Sequence, residues 1–202
     1  AGLEELKRRG LPATVFVPPG ALGGEGFWWD RLAPPGGGPL AEPLRRHALE
    51  ALEGRQERVL AWATSEGLPS SALPPHARPA DEATVVQTAR QNGISLGAHT
   101  WSHPNLAALP PEAVRDELER SKTWLGARAP RYIDWLAYPY GLRTDAVVAE
   151  AAEHFEGAVL IEGGLAQSRG RWSAPVHATP RLNVPRGLTL EGLALRLAGL
   201  LR

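Results

Sequence analysis

Ile94-Ser95-Leu96-Gly97-Ala98-His99-Thr100-Trp101-Ser102-His103 is the stretch that decides the fold. Its first five residues are a short apolar run behind Gly93, which reads as a buried strand. Upstream, Asp81 can N-cap a helix that Gly93 ends, with Val85, Val86 and Ala89 facing inward. Downstream, Pro110-Pro111 opens a helix with Val114, Leu118, Ser121 and Leu125 in one stripe. The charge-dense part of that helix, 112 to 122, reads as a solvated face.

The same rhythm runs outward in both directions. Residues 2 to 9 read as a helix capped by Gly10, followed by the strand Ala13-Thr14-Val15-Phe16-Val17 and the loop Pro18-Pro19-Gly20. Trp135-Leu136-Ala137-Tyr138 is a third strand, and Thr144 can cap a helix carrying Val148, Ala151 and Phe155. Ala158-Val159-Leu160-Ile161 and Arg181-Leu182-Asn183-Val184 read as further strands. Thr189 opens a last helix with Leu190, Leu193, Leu197 and Leu200 inside. Helices alternating with strands point to an α/β fold with a parallel sheet, open or closed into a barrel. Sites on such sheets form at the C-terminal ends of the strands, here Pro18 to Gly20, His99 to His103, and Pro139 to Gly141.

Residues 21–80 break the rhythm with Gly23-Gly24, Pro34-Pro35, Gly36-Gly37-Gly38, Pro69 and Pro74-Pro75. Helical stretches lie between the breaks, around 42–53 and 55–65. This segment reads as an insertion in a single domain of 1–202, its apolar content thin for an independent core. The chain of 202 residues has 22 Lys+Arg against 22 Asp+Glu, so it lacks the basic excess of a nucleic-acid binder. No apolar run approaches the roughly 20 residues of a membrane-spanning helix. The chain holds no Met and opens Ala1-Gly2-Leu3-Glu4, which reads as a piece of a longer protein. With no Cys, any metal site must use His, Asp or Glu.

His99 and His103 lie four apart directly after a strand. Such a pair can share one metal if the loop begins a helical turn, and neutral imidazole suits Zn, Co or Ni. The alternative is a pair of loop histidines hydrogen-bonded to the backbone. A metalloprotease of the zincin type does not match, because Thr100 stands where that motif needs Glu and Pro104 follows His103.

Ile94 to Ala98 followed by His99-Thr100-Trp101-Ser102-His103-Pro104-Asn105-Leu106 resembles the metal-binding motif of the polysaccharide deacetylases, the NodB-homology family. Gly10 to Val17 looks like their second strand. Leu136-Ala137-Tyr138-Pro139-Tyr140-Gly141 looks like their third motif, and Pro180 to Val184 resembles a closing strand of one subgroup. The resemblance implies a distorted (β/α) barrel, incomplete here at its first strand. It implies metal-dependent removal of N- or O-acetyl groups from a glycan, with a divalent metal, Zn foremost. His99 and His103 would be ligands, and the backbone amide of Tyr140 the oxyanion donor.

Two departures qualify this. The family's Thr-Phe-Asp-Asp-Gly motif, which supplies a third ligand and the general base, is not in these residues. The only Asp residues are Asp30, Asp81, Asp116, Asp134 and Asp145. The family's late Leu-x-Leu-His acid is absent too, leaving His177 as a weak candidate against a solvated loop His. Trp28-Trp29 could stack on sugar rings or pack in a core, Trp101 could wall the site, and Tyr138 could enter the core. Asp134 reads as a capping or pairing residue, and His47, His76 and His154 as structural or solvent-facing. The competing functions are a deacetylase inactive as this piece, a catalytically dead glycan-binding barrel, and an unrelated metal hydrolase.

Overall fold

Five parallel strands form one sheet, in the order Ala13–Val17, Ile94–Ala98, Tyr132–Ala137, Gly157–Gly163 and Thr179–Arg181. In the computed structural model, residues 2–34, 38–163, 167–168, 171–172, 174–184 and 187–198 are described. The chain runs α1 Gly2–Arg9, β1 Ala13–Val17, α2 Trp28–Arg31, α3 Glu42–Glu50, α4 Gln56–Ser65, α5 Glu82–Ala89 and β2 Ile94–Ala98. It continues α6 Pro111–Arg128, β3 Tyr132–Ala137, α7 Asp145–His154 and β4 Gly157–Gly163. The short β5 Gln167–Ser168 and β6 Arg171–Trp172 pair with each other, and β7 Thr179–Arg181 and α8 Leu190–Leu197 follow.

Local chemistry sets these boundaries. The Asp81 carboxylate accepts from the Thr84 N–H at 2.7 Å and starts α5. The Thr144 hydroxyl accepts from Val147 and starts α7. β1 and β2 pair in register, from Ala13 opposite Ile94 to Val17 opposite Ala98. The architecture is therefore the α/β one read from the sequence. Among the described residues the sheet is open, with β1 and β7 as its edges, and Val15 on β1 is 38% exposed.

Three expectations shift. β3 begins at Tyr132 rather than Trp135, because Leu96 N–H already bonds to Arg131 C=O and pairing starts there. The last strand is Thr179–Arg181 rather than 181–184. Pro180 interrupts its apolar pattern, and an edge strand tolerates Pro because one side of its backbone has no ladder to serve. In α8, Leu190 is 81% exposed and Leu197 is exposed too; Leu193 is half-buried, and Leu200 lies outside the described residues.

Two hydrophobic clusters hold the molecule. One joins the sheet to α5, α6 and α7 through Leu96, Leu118, Leu125, Leu136, Ala151 and Phe155. The other closes within residues 21–80 around Trp28, Leu32, Ala48, Leu49, Val59 and Ala63, and Tyr140 packs against it. Residues 21–80 thus have a small core of their own.

Leu136 lies fully buried on β3, between β2 and β4. Truncation removes its packing and leaves a void, so Leu136→Ala should lower unfolding free energy by about 2–5 kcal/mol in urea denaturation.

Candidate functional site

The ends of β1, β2 and β3 meet at one side of the sheet. His99 continues β2, its N–H donating to Val17 C=O at 3.2 Å, and Gly20 N–H donates to Trp101 C=O at 2.8 Å. A Cβ on Gly20 would lie 2.7 Å from the Trp101 indole nitrogen, so the two loops touch only because residue 20 has no side chain. Beyond β3, Tyr140 takes φ 57° within Pro139–Gly141.

The loop after β2 is not a helical turn. Thr100 and His103 have φ of 62° and 64°, so two left-handed residues reverse the chain. The buried Thr100 hydroxyl accepts from His103 N–H at 3.0 Å. This brings the two imidazoles edge to face, centroids 4.5 Å apart. His99 Nδ1 meets Ala137 C=O at 2.6 Å, which makes it the protonated nitrogen and leaves Nε2 with a lone pair. The backbone-bonded reading of a loop histidine holds for His99, and the bond on one nitrogen orients the other. His103 is buried, and its Nδ1 has no hydrogen-bond partner among the described residues.

Burial pushes the His99 imidazole down to about 4, a nearby Arg181 adding to the shift against the Ala137 hydrogen bond. Burial and the neighbouring His99 push His103 down to about 3. Both rings are neutral at neutral pH, the state a metal ligand needs. A neutral pair with one oriented ring and one orphaned buried nitrogen fits part of a metal's donor set. His99 and His103 are the residues that would hold it. Among the described residues, no group of three His, Cys, Asp or Glu is placed to hold a metal ion.

Residues from 21–80 build a wall over His103. Its ring lies 4.9 Å from Trp29, 5.6 Å from Phe27 and 4.8 Å from Tyr140, measured between centroids. Phe27 and Trp29 stack at 4.4 Å. Trp28 is buried, and its indole N–H donates to the Tyr140 hydroxyl at 3.1 Å, while burial raises that phenol's pKa. A cavity of about 200 Å³ opens beside this wall, lined in part by Gly26, Phe27, Arg55, Gln56 and Ser102.

Other sequence candidates lie elsewhere. His177 does not join the pair: its ring nitrogen meets Phe155 C=O at 2.8 Å, ahead of β4, and its own C=O accepts from Tyr138. That places it just before β7, with its ring nitrogen committed to the backbone ahead of β4. Tyr138 is buried in the main core, where its hydroxyl is raised to about 12. Trp101 lies under the Arg120 guanidinium at 4.2 Å and beside Gly20, turned toward α6. Asp134 pairs with Lys122 at 2.9 Å, Asp116 with Arg120, and Asp30 is exposed.

Sequence reasoning missed Glu117. It is only 5% exposed, so residues 112–122 are not one solvated face. Its carboxylate accepts from Trp101 N–H, Ser102 N–H and Ser102 Oγ–H. The available signal was position, three residues after Val114 and four before Ser121 on the buried stripe. Phe27 and the Glu53 C=O, which accepts from Asn105 N–H at 2.7 Å, carried no sequence signal.

A family model described as polysaccharide deacetylase matches residues 1–155. No curated protein sequence gives a significant match. The deacetylase PplD from Streptococcus pyogenes, solved in complex with acetate, is 22% identical with a TM-score of 0.52, over 61% of this chain and 53% of that one. BC0361, a polysaccharide deacetylase from Bacillus cereus, is 17% identical with a TM-score of 0.51, over 72% and 49%. IcaB from Ammonifex degensii is 15% identical with a TM-score of 0.60, over 97% and 66%. At these identities the likeness establishes the fold, and the chain spans about half to two thirds of those proteins' lengths.

The buried pair makes folding pH-dependent without metal. Below about pH 6.5 the unfolded imidazoles take up protons that the folded ones refuse, so stability falls as pH drops. In EDTA, stability should fall by about 2–3 kcal/mol from this pair between pH 7 and 5.5. His103→Gln should remove roughly half of that slope in urea titrations at the two pH values.

Proposed function

The chain belongs to the polysaccharide deacetylase family, and from that premise we propose that it hydrolyses N- or O-linked acetyl groups on a glycan, using a divalent metal, Zn first among the choices. The observation that carries this reading is the pair of neutral, buried imidazoles, edge to face at the end of β2 and beside the Tyr140 turn. A bound divalent cation supplies Lewis acidity to an acetyl carbonyl and acidifies water.

This chain's own residues do the rest of the positioning. Ala137 C=O orients His99, and the aromatic wall of Phe27, Trp29 and Tyr140 keeps bulk water from His103. The left-handed turn at Tyr140 presents a backbone N–H, which we assign to the oxyanion formed when water adds to the acetyl carbon. Collapse of that adduct releases acetate and leaves an amine or hydroxyl on the sugar.

A general base and a third ligand are still required. Asp81 caps α5, Asp145 begins α7, Asp116 and Asp134 are ion-paired, and Asp30 is exposed beside Trp29. We assign the missing carboxylates to a segment outside residues 1–202. The second reading, a glycan-binding barrel without catalysis, is favoured by the same shortage of carboxylates.

Acetate release from N-acetylglucosamine oligomers tests these readings. Residues 1–202 alone should be slower than the full-length protein by at least the factor of about 10²–10⁴ that a general base provides. In the full-length protein, EDTA or His103→Ala should abolish release, while Tyr140→Phe keeps the backbone donor and should cost only a few-fold. Robust release by residues 1–202 would falsify the external base and direct attention to Asp30. Full-length protein that binds the oligomer and releases no acetate would establish the binding module.

A further inference from the structure

The carboxylate of Glu117 reaches into the loop that separates the two histidines. Its Oε2 accepts from the N–H groups of Trp101 and Ser102, both at 2.8 Å, and its Oε1 from Ser102 Oγ–H at 2.6 Å. Among the described residues no Lys, Arg or His forms a salt bridge with it; Arg120, nearby on α6, pairs with Asp116 and stacks on Trp101. The nearly buried carboxylate is compensated by loop donors, and they by it.

Regular helix geometry does not hold this shape, and among the loop's partners Glu117 is the one that takes the Trp101 and Ser102 N–H groups. Pro104 prevents residues 99–103 from continuing as a helix, which would have set His99 and His103 on one face. They meet through left-handed turns at Thr100 and His103. A left-handed residue aims the following N–H groups to one side, making a small anion-binding concavity. Left unpaired under α6, those amides would each carry a desolvation penalty. α6 delivers the acceptor because Glu117 shares the buried stripe of Val114, Leu118 and Ser121.

We propose that Glu117 is the positioning residue of the histidine pair, its buried carboxylate filling the concavity at Trp101 and Ser102 and so fixing the geometry at which His99 and His103 meet. The consequence for a metal rests on reading those histidines as ligands; the consequence for the loop does not. The requirement is for acceptors at the right place rather than for charge. Glutamine could meet it, its oxygen taking both N–H groups while its NH₂ donates to Ser102 Oγ.

The test uses the full-length protein, with Zn²⁺ alone as probe and amide hydrogen exchange as a metal-free readout. Glu117→Ala should weaken Zn²⁺ binding by about 10–100-fold. It should also speed exchange at Trp101 and Ser102 by at least about tenfold, with Leu96 protection retained. Glu117→Gln should recover both to within a few-fold of wild type, and Leu118→Ala should lower the melting temperature without moving either. If Glu117→Ala does not fold, Glu117→Asp carries the test: it keeps the charge, falls one methylene short, and should weaken binding several-fold. Wild-type affinity and exchange in Glu117→Ala would overturn the proposal, as would Glu117→Gln behaving like Glu117→Ala. Wild-type protein that binds no Zn²⁺, with Trp101 and Ser102 exchange still answering to Glu117, would overturn the ligand reading and support the positioning role.

Discussion

Left-handed backbone at non-glycine residues is the constraint on which the site depends. Thr100, His103, Tyr140 and Glu53 all have positive φ, and all four belong to one neighbourhood. Such conformations cost on the order of 1–3 kcal/mol each and persist only where the surroundings over-determine them. Here the surroundings do. The Thr100 hydroxyl and the Glu117 carboxylate hold the loop from inside, Gly20 N–H holds it from β1, and the Glu53 C=O and Leu49 C=O hold Asn105 at its far end. The histidine pair is therefore a product of packing on three sides, not of local helix geometry.

The site also lies on the seam between the two cores. Tyr138 and Tyr140 bracket Pro139 at the end of β3, and they divide between the clusters. Tyr138 is buried against the sheet and α7, whereas Tyr140 packs against the insertion through Trp28. Gly54 shows how close the fit is, since a Cβ there would lie 3.2 Å from both Asn105 N and the Tyr140 ring. A segment of loops and short helices thus becomes part of the site by closing its own small core and presenting Phe27 and Trp29 to His103. A wall built this way can differ in shape without changing the sheet, because its stability comes largely from its own buried residues.

Legibility in the sequence followed the range of the interaction. β1 and β2 were readable residue by residue because each is a short apolar run between glycine or proline stops. The helix caps at Asp81 and Thr144 were readable because capping is a contact three residues long. The strand-end rule brought His99, His103 and Tyr140 together. β7 was displaced by Pro180, which hides a strand from a pattern argument without removing it from an edge. Glu117 was hidden by its own chemistry: a charge on a helix reads as solvent-facing, and only partners far away in sequence reveal it as buried. His177 was the opposite error, a residue type suited to catalysis whose ring and C=O are tied to Phe155 and Tyr138 instead of joining the pair.

On the proposed reading, electrostatics explains why the pair would need carboxylates. Two neutral imidazoles donate electron pairs but bring no negative charge, and burial has removed much of the water that would screen a cation placed between them. A positive charge acts on His99: Arg181, partly desolvated, bonded to Leu160 C=O and held near Phe16. Glu117 is not available as a ligand, because its oxygens are already committed to Trp101 and Ser102. On the proposed reading, a divalent cation held by His99 and His103 would sit in a potential raised by Arg181 until an anionic ligand entered from outside the loop. On the proposed reading a ligating aspartate does more than fill a coordination position; it makes the charge balance of a buried cation tolerable. A second carboxylate beside it would then feel the cation's field, which favours its ionised, proton-accepting form.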